Sequence, residues 1–216
     1  MSSKRAAAFV DGFNLYHALD SLQDPALKWL DLWRFCERFT GTLELRQVFY
    51  FSAYATWLPA SYKRHRTYVT ALEQVGVANV MGHFKSKDRV CRHCKTRSKS
   101  YEEKQTDVNV ALHLLNEARK DSYDCALLVS NDSDLVPAIR MLREEFPGKW
   151  ARVITPPTKC TSKALVQAAG GMQNVRTAKR AHVASALLPE RLRLPNGHYV
   201  IRPQEYDPNQ TTPQSD

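Results

Sequence analysis

Two dense apolar runs, residues 6–10 and 125–130, each stop abruptly at an acid-bearing turn and are each followed by residues at helical spacing. Neither run alternates with polar residues, so both faces of each strand need cover. That is the condition of a central strand in a parallel sheet, not of a half-solvated antiparallel one. The rest of the chain keeps the same rhythm. Helical spacing at 15–19 and 27–39 leads to a strand at 43–54, and a basic amphipathic helix at 61–75 to a strand at 77–84. Thr106 can cap a helix reaching about Arg119, the run at 125–130 leads to a helix at 135–145 closed by Pro147 and Gly148, and a fifth strand at 150–155 precedes a helix at 162–169. Strands separated by helices imply right-handed crossovers. The expected fold class is therefore α/β, a three-layer α/β/α sandwich around a mostly parallel sheet of about five strands.

At 216 residues with 43% hydrophobic positions the chain can bury one substantial core. Residues 1–184 are expected to form the globular domain and 185–216 a C-terminal extension, rich in Pro, Gln, Asn and Thr from Pro203 and expected to be disordered from about there. No apolar stretch approaches the roughly 20 residues that a membrane-spanning helix needs, and Asp11 cuts the N-terminal apolar run short, against a signal peptide. The reading is no membrane partner. Five scattered cysteines, at 36, 91, 94, 125 and 160, fit a reducing, cytoplasmic setting. A formal charge of +9 favours polyanionic partners.

Ligands of an open parallel sheet bind beyond the carboxyl ends of the strands, where the strand order reverses. Asp11 ends the first run, Asp132 and Asp134 follow the fourth, and Asp107 lies in the first turn of the helix leading into it. If the first and fourth strands are neighbours, four carboxylates converge on one edge. Such a group needs a compensating cation, and an all-oxygen donor set selects Mg²⁺ or Mn²⁺. Asn14, Ser130 and Ser133 add neutral polar support. Each acid alone also fits a helix N-cap or first-turn role; their coincidence at one edge, with no Lys or Arg directly beside Asp11, Asp132 or Asp134, favours the metal site. With eight glycines and no glycine-rich phosphate loop, no Gly-x-Ser-x-Gly elbow and no His-Glu-x-x-His helix, other site types lack support.

Three segments carry a family resemblance: Phe9-Val10-Asp11-Gly12-Phe13-Asn14-Leu15, Glu103-Lys104-Gln105-Thr106-Asp107-Val108-Asn109, and Leu128-Val129-Ser130-Asn131-Asp132-Ser133-Asp134-Leu135-Val136-Pro137. In order and spacing they resemble the signatures of the NYN domain family, bacterial relatives of the PIN-like nucleases, over roughly residues 5 to 180. The resemblance implies a PIN-like catalytic domain within 1–184 and an Mg²⁺- or Mn²⁺-dependent ribonuclease, with Asp11, Asp107, Asp132 and Asp134 as metal and catalytic residues and Asn14 as their polar companion. Two positions depart from the family pattern: Asn131 stands where Gly is frequent, and His113 where many members carry a further acid. Asn tolerates left-handed turn geometry. His113 bears on whether two metals are held, and its place on the helix suits a partly exposed structural histidine.

Residues 85–104 break the strand–helix rhythm, with eight Lys or Arg against three acids, and read as a surface insertion. Lys85, Lys87, Arg89, Arg92, Lys95, Arg97, Lys99 and Lys104, with Tyr101 able to stack, form a candidate RNA-binding arm, which Lys63, Arg64, His65 and Arg66 extend. Cys91 and Cys94 are half of a structural zinc site, to be completed by His83 or His93, or else two reduced thiols. The chain thus reads as a metal-dependent, endonucleolytic phosphodiesterase acting on single-stranded or structured RNA. The alternative is a non-catalytic RNA-binding or scaffolding module of the same fold. Oligomeric state and protein partners are left open by the sequence.

Overall fold

The computed structural model describes residues 3–90 and 92–209. In chain order the elements are β1 (Arg5–Asp11), α1 (Gly12–Asp20), α2 (Leu32–Glu37), β2 (Glu44–Ser52), α3 (Pro59–Gln74), β3 (Ala78–Met81), β4 (His83–Val90), β5 (Arg97–Lys104) and α4 (Thr106–Arg119). They continue with β6 (Cys125–Val129), α5 (Val136–Glu145), β7 (Trp150–Thr155), α6 (Lys163–Ala168), β8 (Val175–Thr177), α7 (Arg180–Ala184), β9 (Arg191–Arg193) and β10 (Tyr199–Ile201).

Six strands form the central sheet in the order β3-β2-β1-β6-β7-β8, every pair parallel. The two-residue period of β1 divides its small side chains between two cores. Ala6, Ala8 and Val10 face Leu15 and Leu19 of α1, Phe35 of α2 and Leu72 of α3. Ala7 and Phe9 face Val110 and Leu114 of α4, Ile139 of α5 and Leu165 of α6. Helices cover both faces, which is why β1 and β6 read as unbroken apolar runs. The sheet has six strands where the sequence suggested about five; the sixth, β8, has three residues and no periodicity to betray it.

The chain runs outward from β1 to β3 on one side and from β6 to β8 on the other. The reversal lies between β1 and β6, whose register pairs Val10 with Val129. Asp11 and Ser130 therefore leave the sheet side by side.

Residues 85–104, read from the sequence as a surface insertion, form most of an antiparallel hairpin, β4 with β5, separate from the main sheet. The strand expected at 77–84 ends at Met81. Gly82 donates its N–H to Ser52 O at 2.7 Å, and β4 begins at His83. A Cβ on Gly82 would lie 2.6 Å from Lys104 O, so the two strands leave the body at a spacing that only glycine permits. The chain from Pro203 also departs from expectation. Residues 204–206 form a 3-10 turn, Glu205 pairs with Arg64 at 2.8 Å, and Tyr206 packs with the cluster of Trp29, Leu188, Leu192 and Val200. Tyr206 and the ion pairs Arg64–Glu205 and Arg202–Asp207 anchor a segment of otherwise tail-like composition; residues 210–216 lie outside the described ones.

Candidate metal centre

Asp11 is the last residue of β1 and the N-cap of α1: its Oδ1 accepts the Asn14 N–H at 3.0 Å, and its Oδ2 accepts the Ser130 hydroxyl at 2.9 Å. Ser130 is buried, and its Oγ in turn accepts the Asp132 N–H at 3.0 Å. Asn14 Oδ1 accepts the Asn131 N–H at 3.1 Å. Two cross-links thus tie the turn after β1 to the turn after β6, and they engage the oxygens of Asn14 and Ser130 in positioning the acids. Gly12 lets α1 start at this point, since a Cβ there would meet Phe51 O at 2.5 Å and the Tyr50 ring at 2.6 Å.

Asp107 arrives from the hairpin side. Gln105 takes a left-handed conformation at φ 79°, and the Glu103 carboxylate accepts the Thr106 N–H at 3.0 Å, which starts α4 and sets Asp107 in its first turn. Asp11, Asp107 and Asp132 each present a carboxylate oxygen, and the three lie within 4.8 Å of one another. Asp134 stands apart. It is exposed, and its N–H donates to Asp132 Oδ1 at 2.9 Å, so the 3-10 turn over 133–135 directs Asp132 to the cluster and leaves Asp134 and Ser133 at the rim. Its charge still helps to raise Asp107.

Burial pushes Asp11 up to about 6, with Asp107 and Asp132 adding to the rise and the Asn14 and Ser130 hydrogen bonds opposing it. Asp107 is raised by burial, then by Asp132, Glu103 and Asp134. Among the described residues no ion pair reaches Asp11, Asp107, Asp132 or Asp134. Three convergent oxygens without a countercharge fit a hard divalent cation. His113 is no part of the group. Its ring packs at 5.5 and 5.4 Å from Phe49 and Phe51, and burial lowers its pKa.

Cross-strand pairing places His83, Lys85, Lys87, Arg89, Ser98, Ser100, Glu102 and Lys104 on one face of the hairpin, four of them Lys or Arg. Glu102 takes up part of that charge, at 3.1 Å from Lys87 and 3.2 Å from Lys104. Arg97 and Lys99 lie on the opposite face with Phe84 and Tyr101, while Arg92 and Lys95 belong to the tip. Tyr101 is already engaged, its ring stacked on Trp57 at 3.7 Å. Trp57 also meets Phe84 at 4.7 Å, and Phe84 meets Phe13 at 5.4 Å, so an aromatic chain fixes the hairpin base two residues from Asp11. Trp57 lies in no sequence motif, and Glu103 opens a family-like segment whose pattern does not disclose its contact with Thr106.

Cys94 lies at the hairpin tip with its Sγ 3.1 Å from Thr96 Oγ1, and Cys91 lies outside the described residues. His83, one of the candidate zinc ligands, lies far along the hairpin from Cys94. It is at the hairpin base, hydrogen-bonded to Gln105, and seven residue steps of strand separate it from Val90, about 23 Å at the usual rise.

The NYN domain family matches residues 5–175. A curated relative, the 6-hydroxy-3-succinoylpyridine 3-monooxygenase of Pseudomonas putida, is 26% identical over 175 residues, covering 64% of this chain and 55% of that protein. The chain thus spans about half the length of that relative. A crystal structure of a protein of unknown function from Vibrio parahaemolyticus superposes with a TM-score of 0.52 at 19% identity, over 87% of this chain and 100% of the other, a likeness of fold.

Proposed function

The chain belongs to the NYN domain family of the PIN-like nuclease superfamily, and from that premise we propose that it is an Mg²⁺- or Mn²⁺-dependent endoribonuclease. The observation that carries the reading is the set of three carboxylate oxygens within 4.8 Å of one another at the switch point of the sheet. Asp11, Asp107 and Asp132 would hold the ion, with Asp134 at the rim of the same acidic face. The ion, when bound, supplies Lewis-acid stabilisation of charge at a phosphodiester undergoing in-line attack. Ser130 and Asn14 keep the carboxylates in place, so little reorganisation is needed when a substrate arrives. The cationic hairpin face of Lys85, Lys87, Arg89 and Lys104 holds the RNA backbone, with Arg92, Lys95, Arg97 and Lys99 as further phosphate contacts toward the tip and the other face.

No helix among the described residues is long and apolar enough to cross a membrane. Buried Cys36 and Cys125 support a reducing, cytoplasmic location. The decisive experiment incubates end-labelled single-stranded and structured RNAs with the protein in Mn²⁺, Mg²⁺ or EDTA, beside Asp132→Asn. Metal-dependent cleavage lost in the variant supports the reading; binding without cleavage under every condition favours the non-catalytic module. A second reading, oxygen transfer of the kind named for the Pseudomonas putida protein, is favoured by the 26% identity. It requires turnover that consumes oxygen and a reductant.

A further inference from the structure

Beside the acidic cluster, on the face of the sheet covered by α1 and α3, lies a cavity of about 220 Å³ that the metal chemistry does not use. It begins at Gly12 and Phe13, the two residues after Asp11. Its walls are apolar faces and rings: Leu15 and Tyr16 of α1, Tyr50 of β2, and Tyr206 from the C-terminal turn. The charged residues that line it are Lys28 and Arg64, and no carboxylate is among the lining residues described. His65 adds no charge, because burial pushes it down to about 4, and its Nε2 lies 3.2 Å from the Tyr50 hydroxyl.

Both cations are mostly buried, with side chains 15% exposed for Lys28 and 26% for Arg64, and each is held by an acid from outside the lining. Lys28 pairs with Asp20 at 2.5 Å and Arg64 with Glu205 at 2.8 Å. Glu205 immediately precedes Tyr206, so one short segment supplies both a ring to the wall and a carboxylate to the cation. Arg64 is therefore already an anion-binding position, occupied by the chain's own side chain.

We propose that this cavity is a binding site for a flat aromatic ring carrying an anionic group, the ring lying among the tyrosines and the anion on Arg64 and Lys28, with residues 204–206 as a strap that competes for Arg64. The volume, about seven waters at roughly 30 Å³ each, admits a single ring system and its charged group. A nucleoside monophosphate and an aromatic carboxylate share this chemistry. The inference does not depend on the nuclease reading, because binding is measured in chelator without cleavage.

The test is isothermal titration calorimetry in EDTA on the full chain with 5′-AMP, 5′-UMP, benzoate, ribose 5-phosphate and inorganic phosphate. Saturable binding of at least one ring-bearing anion is expected, with ribose 5-phosphate and phosphate at least about tenfold weaker. Mononucleotides binding in preference to benzoate identify the nucleotide as the source, and the reverse identifies an aromatic carboxylate. Arg64→Met should weaken binding by about tenfold or more, since it removes a charge-assisted hydrogen bond, and Glu205→Gln should strengthen it several-fold by freeing Arg64. The opposite signs separate a binding role from a purely structural latch, and Glu205→Gln alone carries the test if Arg64→Met does not fold. The proposal is overturned if no ring-bearing anion binds, if phosphate alone binds as well as the nucleotides, or if both variants leave affinity unchanged.

Discussion

Replacing Asp11 by Asn imitates its protonated form, so comparing the two proteins isolates the free energy stored in the acidic cluster. Asp11 is 4% exposed and is held up at about 6 against an ordinary 3.8, chiefly by burial. At about 1.36 kcal/mol per factor of ten, the ionised group costs the metal-free fold about 3 kcal/mol. The pKa is raised, so the contribution favours the fold below the unfolded value and is lost as pH rises through the folded one. About 2 kcal/mol of the change falls between about pH 4.5 and about pH 7.5. For a chain of this size that is about 4–8 °C in melting temperature. Other acids, such as Asp121 and Asp124 with their lowered values, act in the opposite direction but in both proteins alike. In EDTA the melting temperature of Asp11→Asn minus that of wild type should therefore widen by several degrees over this range. Millimolar Mg²⁺ or Mn²⁺ should then raise the wild type at neutral pH and the variant less. A difference that stays flat with pH in differential scanning calorimetry would refute the claim that Asp11 is strained by burial and by its neighbours. Equal stabilisation of the two proteins by the ion would refute its role as a ligand.

Asp132→Asn should cut RNA cleavage by at least about a hundredfold while leaving filter-binding affinity and metal-free melting temperature undiminished, because it removes a charge without removing the cap to the Asp134 N–H. Lys85, Lys87 and Arg89 changed together to Ala should flatten the slope of log affinity against log salt by about 2 on single-stranded RNA, at roughly 0.7 per phosphate contact; an unchanged slope would make that face a bystander. Trp57→Ala removes the stack on Tyr101 and the edge contact with Phe84, so limited proteolysis within 83–104 should accelerate about tenfold, for aromatic contacts contributing roughly 0.5–1.5 kcal/mol each, with little change in global melting. Equal proteolysis rates would mean that the hairpin is fixed by other contacts.

Asp11 and Asp132 were legible in the sequence because the strands that carry them are buried on both faces. An unbroken apolar run followed by an acid announces a central strand and the ligand edge of the sheet at once. Asp134 shows where spacing stops being informative: two residues from Asp132 in the same acidic turn, it is turned to solvent by a 3-10 geometry that the string of letters does not specify. The hairpin is illegible in the sequence for a different reason. No apolar period marks it: β4 and β5 bury little beyond Phe84 and Tyr101, and their two-residue period is written in charge instead, in Lys85, Lys87 and Arg89 and again in Arg97 and Lys99. The cavity of Lys28, Arg64 and Tyr206 had no local pattern at all, since its walls come from segments far apart in the chain. The positive charge of the whole chain also takes on meaning only in space. The described ion pairs leave the acids at the switch point unneutralised, while the basic hairpin is fixed by its aromatic base to the first turn after Asp11. A polyanion drawn to the hairpin is thereby brought to acids that repel it until a cation is bound, so on the proposed reading metal and RNA should favour each other's binding.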